Sequence, residues 1–382
     1  MSDATQVLIG TTKGLFVLTS RDGRQSWQMS GPYCDGWSIN HAIGAKGTLW
    51  AGGGGAWSGA GVWRSIDSAK TWELSKLADG EMDEWIRNDP ETGAFFGIES
   101  PPPPAPFSGR VSAIWSLGRA GGRLYAGAKP ATLFVSEDEG ETWQEVEALS
   151  NHPTREEWTP GAAGLTLHTI VTDPQNPQKL ILGISAAGVF VSEDGGTNWE
   201  RRNRLSNTAN CEEHNHPAAP RDGQTGLCVH NMMTGPDGML WQQNHHGVYT
   251  STDDGRSWDD VTKGLPSTFG FPIAVHPKNP GTAFTLPLNG DSQGRYPPDA
   301  SAAVWRTRDG GQTWQACRNG LPQENCYFTV LRQAMTVDQA DAPGVYFGTN
   351  SGSLFASFDQ GENWRELARH LPTILCVETS MG

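Results

Sequence analysis

Basic runs are missing from this chain. Lys+Arg total 28 against 42 Asp+Glu, giving a formal net charge of −14. A protein that tracks a phosphate backbone needs a positive footprint, so a nucleic-acid partner is excluded. No apolar run approaches the roughly 20 residues a membrane-spanning helix requires, so no membrane partner is expected. The opening residues Met-Ser-Asp-Ala-Thr hold neither the basic nor the apolar part of a secretory signal. Six cysteines (Cys34, Cys211, Cys228, Cys317, Cys326, Cys376) lack paired spacing. A disulfide framework is therefore not expected, and reduced thiols and a cytoplasmic setting are.

What the chain has in excess is tryptophan, 16 residues, and glycine, 47. One eight-residue pattern, Ser/Thr-x-Asp-x-Gly-x-Thr/Ser-Trp, explains much of both. It first reads Ser20-Arg-Asp22-Gly-Arg24-Gln-Ser26-Trp27 and returns around Asp67, Asp138, Asp194, Asp253, Asp309 and Asp359, ending on Trp72, Trp143, Trp199, Trp258, Trp314 and Trp364. Arg24 and Ala69 take the glycine slot in the first two copies, and Asn198 and Asn363 take the hydroxyl slot in the fourth and seventh. The residue types are those of a hairpin turn. A short carboxylate accepts bonds from nearby backbone N–H groups, glycine supplies a backbone conformation other residues resist, and the tryptophan buries a large apolar face between sheets. The seven aspartates are therefore read as structural.

Two short apolar strands precede each copy, as in Leu124-Tyr-Ala-Gly followed by Thr132-Leu-Phe-Val. A third, innermost strand is expected at Ser38–Ile43, Val111–Leu117, Leu165–Val171, Leu227–Met233, Phe271–Val275 and Phe328–Met335. The first repeat lacks one, while the last is followed by the apolar run Leu371–Val377. The prediction is an all-β chain, a single seven-bladed β-propeller over residues 1–382, with the C-terminal strand closing the ring. Surplus length falls in loops at 73–109, 144–164 and 200–226 and in a hairpin insertion, Asn289–Ser301.

Strand alternation puts the long loops and the starts of the innermost strands on one face, opposite the aspartate turns. A mouth of this kind is the expected binding site. Aligned innermost strands place Asn40, His168, His230, Phe271 and Gln333 at equivalent positions, with His41 beside Asn40. The turn after the second strand of the fifth blade adds Asn244, His245 and His246. Trp57 and Lys129 occupy the matching turns of earlier blades, and Arg110 and Arg332 could bind an anion or pair with acids. Imidazoles at a mouth move protons or hold a metal. His168, His230 and His245 are candidate catalytic residues, and with His41 they could hold a divalent transition metal. Asp35 and Glu324 are candidate carboxylates for acid–base hydrolysis, with Glu378 near the far end of the closing strand as a third. The loop segment Cys211-Glu-Glu213-His214-Asn-His216 also has metal-compatible spacing.

The whole chain resembles the bacterial BNR/Asp-box repeat proteins described as glycosyl hydrolases or exo-α-sialidase-like, on the repeats and on Asn151-His-Pro-Thr-Arg155, Gln243-Asn-His245, Phe269-Gly-Phe-Pro-Ile-Ala-Val-His276 and Leu321-Pro-Gln-Glu324. The resemblance implies the propeller fold and a cytoplasmic setting. True sialidases also carry a Phe/Tyr-Arg-Ile-Pro motif and a nucleophilic tyrosine. That motif is absent here, and three of the 6 tyrosines (Tyr125, Tyr249, Tyr346) belong to blade strands. The expectation is a hydrolase acting on a small or glycosidic substrate at the histidine-lined mouth. The alternatives are a metal-dependent propeller enzyme and a non-catalytic binding or assembly propeller.

Overall fold

The computed structural model describes residues 4–98, 100–203 and 225–381. Seven four-stranded antiparallel sheets form the blades of a seven-bladed β-propeller. The innermost strands of blades two to seven are Ile39–Ala45, Ala113–Ala120, Leu167–Thr172, Val229–Thr234, Gly270–Val275 and Met335–Val337. Blade one takes its innermost strand, Ile374–Met381, from the C-terminus; it pairs antiparallel with Thr5–Thr11, setting Ile9 opposite Val377 and Leu8 opposite Glu378. This closing strand begins three residues later than expected. Pro372 has no N–H to give a ladder, so pairing starts beyond it.

The repeated turns share one hydrogen-bond scheme. In the first, the Ser20 hydroxyl donates to Asp22 Oδ1 (2.8 Å) and accepts the Arg24 N–H (2.9 Å), while the Ser26 N–H donates to Asp22 Oδ1 (3.0 Å). Asparagine fills the hydroxyl slot equally well, since Asn198 Nδ2 donates to Asp194 Oδ2 (2.7 Å) and Asn363 Nδ2 to Asp359 Oδ2 (2.8 Å). The glycine slot needs a positive φ, 96° at Gly140 and 92° at Gly361. Arg24 and Ala69 adopt it at 69° and 72°, a conformation that costs a side-chain-bearing residue roughly 1–3 kcal/mol. Arg24 recovers part of this through an ion pair with buried Asp338 (2.9 Å) and a bond to the Ala342 carbonyl (2.7 Å), tying blade one to blade seven.

The motif tryptophans seal neighbouring blades. Trp27 meets Tyr346 of blade seven edge-on at 6.3 Å, and Trp314 of blade six meets Trp241 of blade five at 6.4 Å. The surplus loops contain short helices, Glu81–Asn88, Pro90–Phe95 and Glu147–Ser150. None is long and apolar enough to cross a membrane. Cys34, Cys228, Cys317, Cys326 and Cys376 are all buried and unpaired.

The expected innermost strand Phe328–Met335 is the clearest departure: only Met335–Val337 is strand. The stretch before it is held by other partners. The Cys326 N–H donates to the Ala300 carbonyl (2.9 Å), the Thr329 hydroxyl to the Arg295 carbonyl (2.6 Å), and Gln333 Nε2 to the His168 carbonyl. These bonds take residues 326–333 out of blade seven's ladder and across to blades four and six.

The turn carboxylates give the fold an acid limit. The bond from the Ser26 hydroxyl holds Asp22 down to about 2, and bonds from the Thr71 amide and hydroxyl hold Asp67 there. At Asp138 slight burial pushes upward, but the Thr142 hydroxyl and amide outweigh it, again to about 2. A carboxyl depressed in the folded state stabilises above its ordinary value, 3.8 here, and loses that contribution as pH falls through the folded value. Thermal melts should therefore show a falling Tm between about pH 4 and pH 2, and Asp67→Asn should lower Tm at pH 7 while shallowing that fall. A Tm equally pH-independent in both proteins across this window would refute the structural role of the carboxylates.

Candidate functional site

A recurrent bulge sets the mouth of the channel. The ladder between innermost and second strands slips once in each of blades two to six, between Ile39/His41, Ile114/Ser116, Leu167/Thr169, Val229/Asn231 and Gly270/Ile273. The unpaired residues are Asn40, Trp115, His168, His230 and the pair Phe271-Pro272. A bulge re-aims the side chain it carries, which makes this a repeated device for turning one residue, or two in blade six, away from the ladder. The equivalence of Asn40, His168, His230 and Phe271 was legible in sequence; Trp115 belongs to the same set.

Their destinations differ. Asn40 Nδ2 donates to the Ile114 carbonyl of the next blade (2.8 Å), an inter-blade tie. His168 is buried and donates from Nδ1 to the Thr169 hydroxyl (2.8 Å), which donates to Asn231 Oδ1 (3.1 Å); Asn231 Nδ2 then donates to the Arg332 carbonyl (2.7 Å). With Gln333 on its own carbonyl, His168 anchors a polar crossbar that runs from blade four through blade five to blade seven. Burial, then the Arg332 charge, pushes His168 well below the usual imidazole range, so it is neutral. Thr169, Asn231 and Gln333 line one cavity while Arg332 lines another, and His168 lines neither.

The larger cavity, about 770 Å³, opens on the aspartate-turn face. His41 lines it with Glu378. Its Nδ1 accepts the Leu117 N–H (2.9 Å), which leaves the Nε2 proton facing Glu378 Oε1 at 3.4 Å. The expected grouping of His41 and His168 with His230 and His245 as metal ligands is therefore not formed, because His41 is in the other cavity and His168 is tied into the crossbar.

The smaller cavity, about 220 Å³, lies on the loop face between blades four and six, and its walls include Cys228, His230, His245, Phe269, Phe271, Asp291, Arg295 and Arg332. His230 Nδ1 donates to the Gly270 carbonyl (2.5 Å), so the lone pair sits on Nε2, 3.6 Å from Cys228 Sγ. Burial first, and then Arg332, pushes His230 well below the usual range. Burial raises the Cys228 thiol, and Arg332 pulls it back in part. His245 is carried in by its turn, with its backbone N–H donating to the Cys228 carbonyl (3.0 Å) and its Nε2 3.2 Å from Asp291 Oδ2. His246 meets His245 edge-on, with ring centres 4.8 Å apart. Asn244 points the other way, donating to the Gly226 carbonyl (2.6 Å) and to Gln242 Oε1 (2.7 Å) inside the blade.

Two cations face this cavity. Arg332 lies 4.9 Å from the centre of the Phe271 ring and Arg295 lies 5.8 Å from it. Burial pushes the Arg332 guanidinium down to about 10, and its Nε is buried without a hydrogen bond. Among the described residues neither arginine has an ion-pair partner. Arg295 and Asp291 escaped the sequence reading as site residues, although the Asn289–Ser301 insertion was its visible signal. Cys228 was detectable from its spacing, two residues before His230.

Other candidates are placed elsewhere. Asp35 is exposed in a 3-10 turn and Glu324 is exposed, and neither lines either of these two cavities. Arg110 pairs with Glu145 on the outside of blade three. Lys129 lies 5.9 Å from the Trp115 ring. Trp57 is 53% exposed and packs against Trp85, itself 49% exposed, at 6.2 Å. Cys211, Glu213, His214 and His216 lie outside the described residues.

No protein-family model matches the chain. Among curated proteins it is similar to the oligoxyloglucan-reducing end-specific xyloglucanase of Emericella nidulans, 23% identical over 216 residues that make up 50% of this chain and 25% of that one. It is also similar to a xyloglucanase of a Paenibacillus species, 27% identical over 249 residues, 59% of this chain and 22% of the other. The match thus takes in about a quarter of these relatives' length. Three solved structures share the fold. A putative 6-phosphogluconolactonase from Bacteroides uniformis aligns with TM-score 0.56 and 11% identity, covering 99% of this chain and 100% of its own. YCF48 from Cyanidioschyzon merolae aligns with 0.54 and 12%, covering 98% and 90%. An ancestral GH74 enzyme aligns with 0.54 and 14%, covering 86% and 38%. The class is thus a seven-bladed propeller with distant glycosyl-hydrolase relatives.

Asn244 gives a test that separates support from chemistry. Asn244→Ala should destabilise the protein by about 1–3 kcal/mol, because it strands a buried carbonyl and the buried Gln242 amide oxygen. Urea unfolding measures this, and an unchanged midpoint would place the Asn244 side chain in the cavity instead.

Proposed function

We propose that this chain is a glycosyl-hydrolase-like propeller enzyme, and that it takes a small carbohydrate substrate bearing an anionic group into the loop-face cavity. The observation that carries the reading is Arg332: a guanidinium with a buried, unbonded Nε and no carboxylate partner among the described residues, in a cavity shared with Arg295, His230, His245 and Asp291. Holding a charge this way is costly unless something pairs with it. In a chain of net charge −14, two arginines turned into one cavity mark the place for a carboxylate or phosphate, which guanidinium groups bind in a fork geometry. Phe269 and Phe271 supply an apolar wall for a sugar ring.

The similarity to xyloglucanases supports a carbohydrate substrate. The two-carboxylate scheme expected from Asp35 and Glu324 does not assemble here, since Asp291 is the one carboxylate lining this cavity among the described residues. Activation of water then falls to the cluster of Cys228, His230 and His245. Asp291 orients His245, and the Gly270 carbonyl fixes the tautomer of His230.

A binding propeller is the second reading. It is favoured by the exposed aromatic rings of Trp57, Trp85, Phe95 (84% exposed) and Phe96 (44%), since exposed apolar patches mark interaction surfaces.

A panel of acidic and neutral glycosides, sugar lactones and sugar phosphates tests the proposal. Arg332→Gln should weaken binding of the acidic substrate about 10- to 100-fold, the loss of a charged hydrogen bond, and leave a neutral analogue unaffected. His230→Ala should lower kcat by at least about 100-fold. No turnover of any panel member would favour the binding reading, and turnover indifferent to both substitutions would move the site elsewhere.

A further inference from the structure

Three donor side chains in the loop-face cavity come from a single blade. Cys228 and His230 flank Val229 where blade five's innermost strand begins, and His245 arrives on the turn joining the next two strands of that blade. The His245 N–H bond to the Cys228 carbonyl locks the turn to the strand. The donor atoms of the three side chains all lie within 4.8 Å of one another, with Cys228 Sγ 3.6 Å from His230 Nε2. Tetrahedral zinc has bonds of about 2.3 Å to sulfur and about 2.0–2.1 Å to imidazole nitrogen. Those bond lengths put ligand sulfur and nitrogen about 3.5 Å apart, so the observed pair is already at ligand spacing.

We infer that Cys228, His230 and His245 form a zinc site with a fourth position open to the cavity. Each imidazole has the outer partner that metal-bound histidines use. His230 donates its Nδ1 proton to the Gly270 carbonyl, which puts the lone pair on Nε2, beside the thiol. His245 Nε2 faces the Asp291 carboxylate at 3.2 Å, and with the proton there the lone pair is on Nδ1. A carbonyl and a carboxylate in these positions fix the tautomer and raise ligand basicity. One thiolate with two imidazoles is a borderline-soft donor set suited to zinc. Three protein ligands among the described residues leave room for a water, as in catalytic rather than structural zinc sites. Binding takes the proton from the Cys228 thiol and releases it to solvent, so the bound ligand is the thiolate.

The site's catalytic use rests on the proposed hydrolase reading; its existence does not. A zinc-held water in this cavity lies beside Arg295 and Arg332, which would hold the substrate's anion, and binding lowers the water's pKa toward neutrality. His230 then serves as a ligand and not as a free base. His41 and His168 remain outside the set, in the other cavity and the crossbar.

The experiment uses the full chain, stripped with chelator, reloaded with zinc and desalted, with metal content read by plasma mass spectrometry and affinity by competition with a chromophoric chelator. One zinc per chain is expected. Cobalt in its place should give a thiolate-to-metal charge-transfer band in the near ultraviolet that is absent in Cys228→Ser. Cys228→Ser and His230→Ala should lose at least tenfold in zinc affinity, Asp291→Asn about 10- to 100-fold, and His41→Ala nothing. Circular dichroism checks that each variant is folded. Failure of the stripped wild type to take up zinc, or wild-type affinity in folded Cys228→Ser, would overturn the inference. Uptake of zinc with the expected variant pattern but no hydrolysis of any substrate would leave the site standing and overturn the hydrolase reading alone.

Discussion

The structure depends on closing a ring from a chain whose ends must meet. Blade one is assembled from both termini: Thr5–Thr11 accepts Ile374–Met381 along its inner edge. Without that pairing, two apolar edges would face water, and an open sheet edge is a template for unwanted association. The closing strand is buried where closure demands it, with Ile374, Cys376 and Val377 fully covered. Arg24 adds a second tie between blades one and seven through Asp338. Once the ring is closed, each innermost strand begins at a fixed place around one channel, and the bulges there can act in concert.

Those bulges and the crossbar divide the channel. A plain seven-fold ring would leave one through-going pore lined by equivalent residues. Here the segment leading to Met335 leaves its own ladder, and Gln333 and the Arg332 carbonyl reach His168 and Asn231 across the ring. The loop-face cavity with His230 and Arg332 is thereby separated from the turn-face cavity with His41 and Glu378. The two have opposite electrostatic character. Among the described residues the loop-face cavity holds two arginines against one carboxylate, and the turn-face cavity holds Glu378, Asp173 and Asp254 with Lys179. The first attracts an anion and the second repels one, which is the contrast behind the proposal that places the substrate on the loop face.

Much of this was legible beforehand. The seven turn motifs fixed blade number and the role of their aspartates, because a carboxylate two residues after a hydroxyl and four before another can close this network locally, without help from distant residues. The missing first inner strand and the surplus last one implied closure. Alignment of the innermost strands found the bulge positions of blades two, four, five and six, since a bulge repeated at one place preserves sequence spacing; it missed Trp115 in blade three and set Gln333 among them although blade seven's ladder starts only at Met335.

Short-range geometry, which the order of residues specifies directly, accounts for the turns, the strand order, the closing strand and the residues presented at the channel mouth. Packing between distant segments set where each presented side chain ends. Asn40, His168 and His230 occupy equivalent bulges, yet one ties to the next blade, one anchors a crossbar and one faces a cavity, because each meets a different neighbouring blade. Asp291 and Arg295 reach the cavity from an insertion whose path follows from packing against residues 326–329, a contact between segments about 30 residues apart in sequence. No periodic signal in the chain encodes such contacts, and they are what turn a ring of similar blades into one asymmetric site.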